Sequence, residues 1–291
     1  MPSLSLFVSQ VFNGLALGAL LALVSSGLTI IFGTLGVVNF AHGAFFALGA
    51  YAGWVTYGYT HSFVLSMAAG AVVTGGLGLI VERGLIRRFY DRPHEDQILV
   101  TFGIGIVVVE ALRAWFGGLN QNMAQPDWGN GIFNFGFFFY PLYRLEVLGI
   151  AAGALFLLYV VLYWTRIGLI VRAGIEDDLM VRMLGISVPR VLMLVFGLGA
   201  LAAGFAGVVN APIISVAPDI GAKILVQSFV VVVIGGLGSF PGAIVGGLVA
   251  GEILSLTSMF NPQYSEVMLY AVMALVLFLL PRGLFGTEGR A

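Results

Sequence analysis

The chain alternates long apolar runs with short polar breaks. The runs lie near 9–32, 40–58, 63–81, 97–117, 146–164, 191–210, 223–237, 240–259 and 265–281. Most are close to the ~20 residues a helix needs to cross a hydrocarbon core. The pattern therefore predicts nine helical segments. The second and seventh are the least sharply bounded, because glycines interrupt or flank them. The short alternating strands of a membrane barrel are not seen.

Composition points the same way. Hydrophobic residues make up 59% of the 291 and charged residues only 9%, against roughly 25% charged in soluble domains. Mean hydropathy is +1.03. The expected fold is an all-α polytopic transmembrane bundle of about eight or nine spanning helices, a single transmembrane domain over 1–291 with broken or re-entrant segments. The start, "MPSLSLFVSQVFNG", lacks the basic region of a cleavable signal peptide, so the first helix is read as part of the mature chain.

Charge sets the expected topology. Arginines cluster in 81–96, in 166–190 and in the tail "PRGLFGTEGRA", leaving only Arg113, Arg144 and Lys223 elsewhere. By the positive-inside rule the clusters face the cytoplasm, with loops at about 82–96 and 166–190. An odd helix count then puts the N-terminus outside and the C-terminus inside. The segment 118–145 becomes external, as does the link 211–222. The external segment is rich in Phe and Tyr and carries Asn-Gly at 130–131, a turn signal. It reads as a short hairpin or surface cap, or as an aromatic belt that anchors the loop.

Small residues recur four apart, at Gly14/Gly18, Ala71/Gly75, Ala200/Gly204, Ala203/Gly207, Gly242/Gly246 and Gly247/Gly251. Such stripes let helix backbones approach closely, and ordinary bundle packing accounts for most of them. A weak internal echo joins "GVVNFAHGAFFALGA" (36–50) to "GLGSFPGAIVGGLVA" (236–250), a candidate repeat of the kind that marks substrate paths in transporters. It singles out Asn39, His42, Gly43, Gly236, Gly238 and Ser239 as broken-helix or pore candidates. Asn39 has a simpler reading as the cap of the following helix.

Chemistry is sparse. No phosphate-binding GxxxxGK[ST] occurs, and Lys223 is the one lysine. There are no cysteines, His42, His61 and His94 are scattered, and no metal or nucleophile motif appears. No cofactor, metal or nucleic acid is implied. Glu110, Arg113 and Glu252 lie inside apolar runs, which makes them functional candidates by default. The first two are three apart and near a helix end, so a self-paired couple fits them. Glu252 either lines a cavity or meets a neighbouring helix. The segment "GIEDDLMVRMLGIS" reads as a short amphipathic helix: Glu176, Asp177 and Asp178 at its start, a stripe of Leu179, Met180, Met183 and Leu184, and Gly185 as its stop. It packs either on its own bundle or into a groove of a soluble partner.

The run "NGLALGALLALVSSGLTIIFGTLGVVNFAHGAFFALGAY", above all "NFAHG" followed by "LGAY", resembles the permease subunits of branched-chain amino acid ABC transporters, the LivH-like half in particular. "GLIVRAGIEDDLMVRMLGISVPRV", "FGLGALAAGFAGV", "VVVIGGLGSFPGAIVGGLVAG" and "LFLLPRGLFG" are similar to that family too. The likeness covers nearly the whole chain, and close relatives include urea and short-amide permeases. Glu176–Asp178 and Val181 depart from it, where an amide and an alanine are expected. The resemblance implies an inner-membrane importer subunit without catalytic residues. It implies two ATPase subunits, a second LivM-like permease and a periplasmic solute-binding protein as partners. Arg172 and 176–185 would then be the coupling segment. An ion-coupled carrier, with Glu252 as its serious carboxylate, and a passive urea-like channel are the alternatives. The solute itself, and the choice between homodimer and heterodimer, are not legible in the sequence.

Overall fold

The computed structural model describes residues 4–36, 39–90, 92–176, 181 and 183–286. Ten α-helices stand among them. In chain order they are α1 (Leu4–Leu35), α2 (His42–Thr60), α3 (Phe63–Gly84), α4 (His94–Phe116), α5 (Leu142–Trp164), α6 (Arg166–Glu176), α7 (Val188–Asn210), α8 (Ile220–Gly235), α9 (Phe240–Phe260) and α10 (Ser265–Leu279). All nine expected apolar segments are helices. Seven stretches are long and apolar enough to cross a membrane, and α2 and α8 are outside that set. These two correspond to the runs whose boundaries were least sharp. Helix α2 carries Tyr51, Trp54, Thr56 and Tyr57, and its first half from His42 is buried on all sides, so protein rather than lipid surrounds much of it. Helix α8 has 16 residues, or about 24 Å at 1.5 Å per residue, short of a ~30 Å core.

The small-residue stripes meet one another. A Cβ on Gly18 would lie 2.8 Å from Leu248 Cα, one on Gly247 2.6 Å from Ala22 Cα, and one on Gly251 2.3 Å from Gly14 O, so α1 and α9 touch backbone to backbone. Gly207 bears likewise on Phe46 O, joining α7 to α2, and Gly204 receives Thr74 of α3. Gly43 and Gly221 face each other, each with its would-be Cβ about 2 Å from the other's carbonyl oxygen (2.1 and 2.2 Å), which clamps α2 to α8. Bundle packing is what these stripes do. Outward faces of α3, α4, α5 and α10 expose Val72, Ile106, Phe156 and Phe278, as lipid-facing surfaces should.

The two ends of the bundle differ. At one, fully buried Glu82 accepts from Tyr90 Oη (2.5 Å) and pairs with Arg87 (3.2 Å), while Arg87 Nη2 also reaches Pro189 O (3.0 Å). That knot ties the end of α3 and the 3-10 turn Ile86–Phe89 to the start of α7. Burial and the neighbouring carboxylate hold the Tyr90 hydroxyl well above the usual phenol range, so it stays a donor. At the same end, Leu284 N and Phe285 N cap the last carbonyls of α8 (Ile234 O and Gly235 O, both 2.9 Å).

At the opposite end an antiparallel hairpin forms from Ile132–Asn134 and Phe139–Pro141. The expected hairpin is therefore present, but Asn130-Gly131 does not make its turn. The chain reverses at 135–138, where Gly136 has φ +90° and donates to Asn134 Oδ1 (2.7 Å). Gly131 instead accepts from Leu142 N (3.0 Å), closing the hairpin onto α5.

Replacing Gly43 by Val should drive a side chain into Gly221 and destabilise the bundle by about 3 kcal/mol, near the upper end of overpacking costs. Gly149→Ala, which meets nothing within 4 Å, should stay within about 0.5 kcal/mol. Thermal unfolding in detergent compares the two directly.

Candidate functional site

At the hairpin end a cavity of about 900 Å³ opens between α1, α5, α7, α8, α9 and α10. Two features make it. Helix α8 is short, and the link 211–219 that leads into it is folded down into the bundle, with Ala211 and Val216 buried. Val216 exchanges both backbone hydrogen bonds with Gln121 (2.8 Å each), which pins the link to the segment after α4.

One wall of the cavity is a closed polar network. Asn13 Nδ2 donates to Gln10 Oε1 (3.0 Å), and Ser255 Oγ donates to Gln10 O (2.6 Å) and Oε1 (2.9 Å). Asn13 Oδ1 accepts from Tyr140 Oη (3.0 Å) and from Arg144 Nη1. Burial raises the Tyr140 phenol above its ordinary range, partly offset by Arg144, so it too remains a donor. The floor is apolar, made of Ala16, Leu17, Leu20, Ile224 and Leu254. The rim carries ion pairs: Lys223 with Glu266 (2.5 Å), and Arg113 with both Asp219 (2.7 Å) and Glu110 (2.6 Å). The expected Glu110–Arg113 couple is thus formed, and it also grips the link before α8.

Below the floor the bundle is shut. Leu21, Val230, Val231, Ile234 and Leu254 form one buried cluster, and α1 meets α8 through Ser25 Oγ donating to Ser228 O (3.3 Å). Ser26, Thr29 and Ser228 hydroxyls are buried nearby along these helices without hydrogen-bond partners. A largely apolar concavity with a few placed polar groups is the make-up of a small-solute site. No group of three or more His, Cys, Asp or Glu that would hold a metal occurs among the described residues.

The residues singled out in the sequence fall elsewhere. Asn39 accepts from Ala41 N through its side chain (3.0 Å) and from His42 N through its carbonyl (3.1 Å), a turn that launches α2. The N-cap of α2 is Ala41, which has no side-chain cap, so Asn39 supports the turn before the helix rather than capping it. His42 is fully buried with Nε2 2.9 Å from Val24 O. Gly43 is the clamp on α8. Gly236 and Gly238 have φ of +104° and +79° in the tight link to α9, and Ser239 caps that helix by accepting from Gly242 N (3.1 Å). Gly36, with φ +69°, stands at the matching place before α2, so the echo has a local structural counterpart. Glu252 sits against Gly14 of α1, its Oε1 buried without a partner. None of these residues lines the cavity.

The middle of the amphipathic helix expected over 174–187 falls outside the described residues; the helix described in the basic loop is another one, which ends at Glu176. Helix α6 runs Arg166–Glu176 and folds back sharply from α5: Gly168 comes so near Leu162 O that a Cβ would stand 2.1 Å from it. Thr165 Oγ1 accepts from Gly168 N (3.3 Å) to open the new helix. Arg172 lies over the Tyr163 ring at 4.9 Å. Asp177, Asp178, Leu179 and Met180 lie outside the described residues, as does the side chain of Glu176. Met183 and Leu184 are 76% and 71% exposed, and Gly185 has the positive φ (+78°) of a helix stop.

The cavity residues that sequence reading missed are Gln10, Asn13, Arg144, Asn210, Gln227 and Ser265. Their signal was present: amides inside or beside apolar runs, and one arginine away from the basic clusters.

A multi-pass helical bundle around a small-solute cavity, closed at its other end, is the architecture of a membrane transport permease. Sequence comparison places the chain within that class. It matches the family model described as "Branched-chain amino acid transport system / permease component" over residues 10–277, and it belongs to that family. It is 31% identical over 96% of both chains to the high-affinity branched-chain amino acid transport system permease protein LivH of Salmonella typhimurium. It is 28% identical over 98% of both chains to the corresponding permease protein BraD of Pseudomonas aeruginosa. It is also 26% identical to the permease protein LivM of Salmonella typhimurium, covering 89% of this chain and 66% of LivM. The protein is a transport component, not an enzyme.

Asn13→Leu should orphan the Tyr140 hydroxyl and one Arg144 donor, at a cost of about 1–3 kcal/mol. Hydrogen exchange of the 131–141 backbone should accelerate by tenfold or more, while that of α7 stays unchanged.

Proposed function

We propose that the chain is the membrane-spanning permease subunit of an ATP-binding-cassette importer that carries branched-chain amino acids or related small polar solutes into the cell. The observation that carries this reading is the end-to-end match to relatives named as branched-chain amino acid permeases. A cavity with an apolar floor and a polar wall suits such a solute.

Orientation follows from charge. Arg83, Arg87, Arg88, Arg92, Arg166, Arg172, Arg190 and Arg282 fall at the ends of α3, α5, α7 and α10 that share one face, and the opposite face holds Arg113, Arg144 and Lys223. The arginine-rich face is cytoplasmic, in a bacterial inner membrane. The cavity then faces outward, where a periplasmic binding protein would release its ligand.

Energy has to come from outside the chain. The cytoplasmic segment from α6 through Gly185, with Arg172, Glu176–Met180, Met183 and Leu184, is the coupling foothold for two ATPase subunits. A second, LivM-like permease completes the pore. Met183 and Leu184 support this by standing exposed at the cytoplasmic end rather than packing on their own bundle. In this scheme ATP-driven movement of the foothold shifts the bundle between outward and inward access.

The test is uptake of labelled leucine into proteoliposomes. The full assembly with ATP should concentrate leucine, and the purified chain alone should not. Met183→Glu with Leu184→Glu should release the ATPases and reduce uptake to background. Uphill transport by the chain alone, or full uptake and ATPase retention in the double variant, would overturn the reading.

A further inference from the structure

The cavity carries a charge that its own walls leave unanswered. Four ionisable residues line it: Arg144, Asp219, Lys223 and Glu266. Lys223 and Glu266 neutralise each other at 2.5 Å, and Asp219 is held by Arg113 at 2.7 Å. Arg144 has no carboxylate within 4.0 Å among the described residues. Its one side-chain hydrogen bond to the α1 wall goes to neutral Asn13. A guanidinium has five donors in a planar fork, so most of that fork has no protein acceptor.

Its position adds to the imbalance. Arg144 is in the first turn of α5, where unpaired N–H groups already make the helix end positive and no acidic residue offsets them. Helices α8 and α10 begin at the same cavity, through Ile220 and Ser265, and neither has a side-chain cap. Three helix starts and an unpaired cation therefore share one concavity.

Buried polar side chains without partners point to the same place. Ser265 is only 8% exposed, and its hydroxyl has no hydrogen-bond partner. Asn210 and Gln227 are 4% and 6% exposed, line the cavity, and make no side-chain hydrogen bond among the described residues. Leaving the Ser265 hydroxyl unmet is costly, whereas the Asn210 and Gln227 amides open to the cavity and are free to meet an occupant. The α1 wall, by contrast, is already satisfied within itself.

We propose that Arg144 is the carboxylate-recognising element of this cavity, and that Leu20, Ile224 and Leu254 receive the aliphatic body of the same solute. No free carboxylate awaits an ammonium group, since Asp219 and Glu266 are both engaged. The neutral amides of Asn210 and Gln227 meet that end instead. The cavity thus selects for the solute's carboxylate and for an uncharged side chain. This rests on the reading of the cavity as the solute path.

The experiment uses the assembled importer in nanodiscs without the binding protein, so that the permease itself is probed. Thermal stabilisation is titrated with L-leucine, 4-methylpentanoate and L-leucinamide, and ATP-driven leucine uptake is measured in parallel in proteoliposomes supplied with the binding protein. Leucine and 4-methylpentanoate should stabilise the wild-type assembly, and leucinamide should do so at least about tenfold more weakly, the size expected for a charge-assisted contact. Arg144→Gln should abolish that preference, and Arg144→Lys should restore part of it. Tyr140→Phe, which loosens the same wall and keeps the cation, should retain it, separating recognition from structural support. Equal stabilisation of the wild type by leucine and leucinamide, or an Arg144→Gln assembly that keeps the preference, would overturn the proposal. If uptake fails in the wild type while the Arg144-dependent preference holds, the carboxylate site stands and the transport reading falls.

Discussion

Backbone laid against backbone is the contact on which this bundle rests. Lipid gives helices no hydrophobic reason to associate, so close van der Waals approach has to hold them. The glycines supply it. Gly251 meets Gly14 and Gly18, Gly247 meets Ala22, and Gly43 meets Gly221, each so closely that a methyl group would collide with main-chain atoms. At such distances dispersion acts between whole backbones, and Cα–H to carbonyl contacts add a little. Side chains cannot do this job here, because α1, α2 and α9 lie too near their partners to admit them.

That constraint also shapes the cavity. On α1 the packing stripe is Gly14, Gly18 and Ala22, facing α9. One step around the same helix run Gln10, Asn13, Leu17 and Leu20, which line the cavity. Spacings of three and four put these residues on one face. The helix therefore carries two adjacent tracks, one that seals and one that grades from amide at the mouth to leucine at the floor. The seal keeps α1 and α9 together, and the short α8 with its sunken link leaves the other track uncovered.

How much of this was legible follows from what each signal encodes. Apolar runs encode burial away from water, and they located nine helices, seven of them within stretches long and apolar enough to cross a membrane. Four-residue spacing of small residues encodes close approach, and those pairs do pack. Attention to charge inside the runs found the Arg113–Glu110 couple, but it also favoured Glu252, which rests against Gly14 beside the cavity wall rather than in the lining. The lining depends on which face of one helix meets which face of another, and one-dimensional spacing does not say that. Arg144 was hidden by a boundary: the run appeared to start at 146, whereas α5 begins at Leu142 because Gly131 caps its first N–H. In the hairpin, Asn134 and Gly136 took the turn that Asn130-Gly131 advertised. Helix α6 was not foreseen, because its fold back from α5 rests on Thr165 and Gly168, and neither residue type announces one.

The contacts of α1 are also unequal in strength. Along α9 it is fused by glycine contacts with no room to slide. Along α8, below the cavity floor, it is held by leucine and valine side chains and by one long hydrogen bond from Ser25 to Ser228 at 3.3 Å. Unpartnered hydroxyls of Ser26, Thr29 and Ser228 are buried on these two helices. Water reaching those hydroxyls would satisfy them and offset some of the apolar surface exposed. Parting α1 from α9 would break close backbone contacts along the glycine stripe, and the unpartnered polar atom there is Glu252 Oε1. Of the two seams, the one between α1 and α8 therefore holds the less closely packed contacts, while Gly43–Gly221 ties α2 to α8.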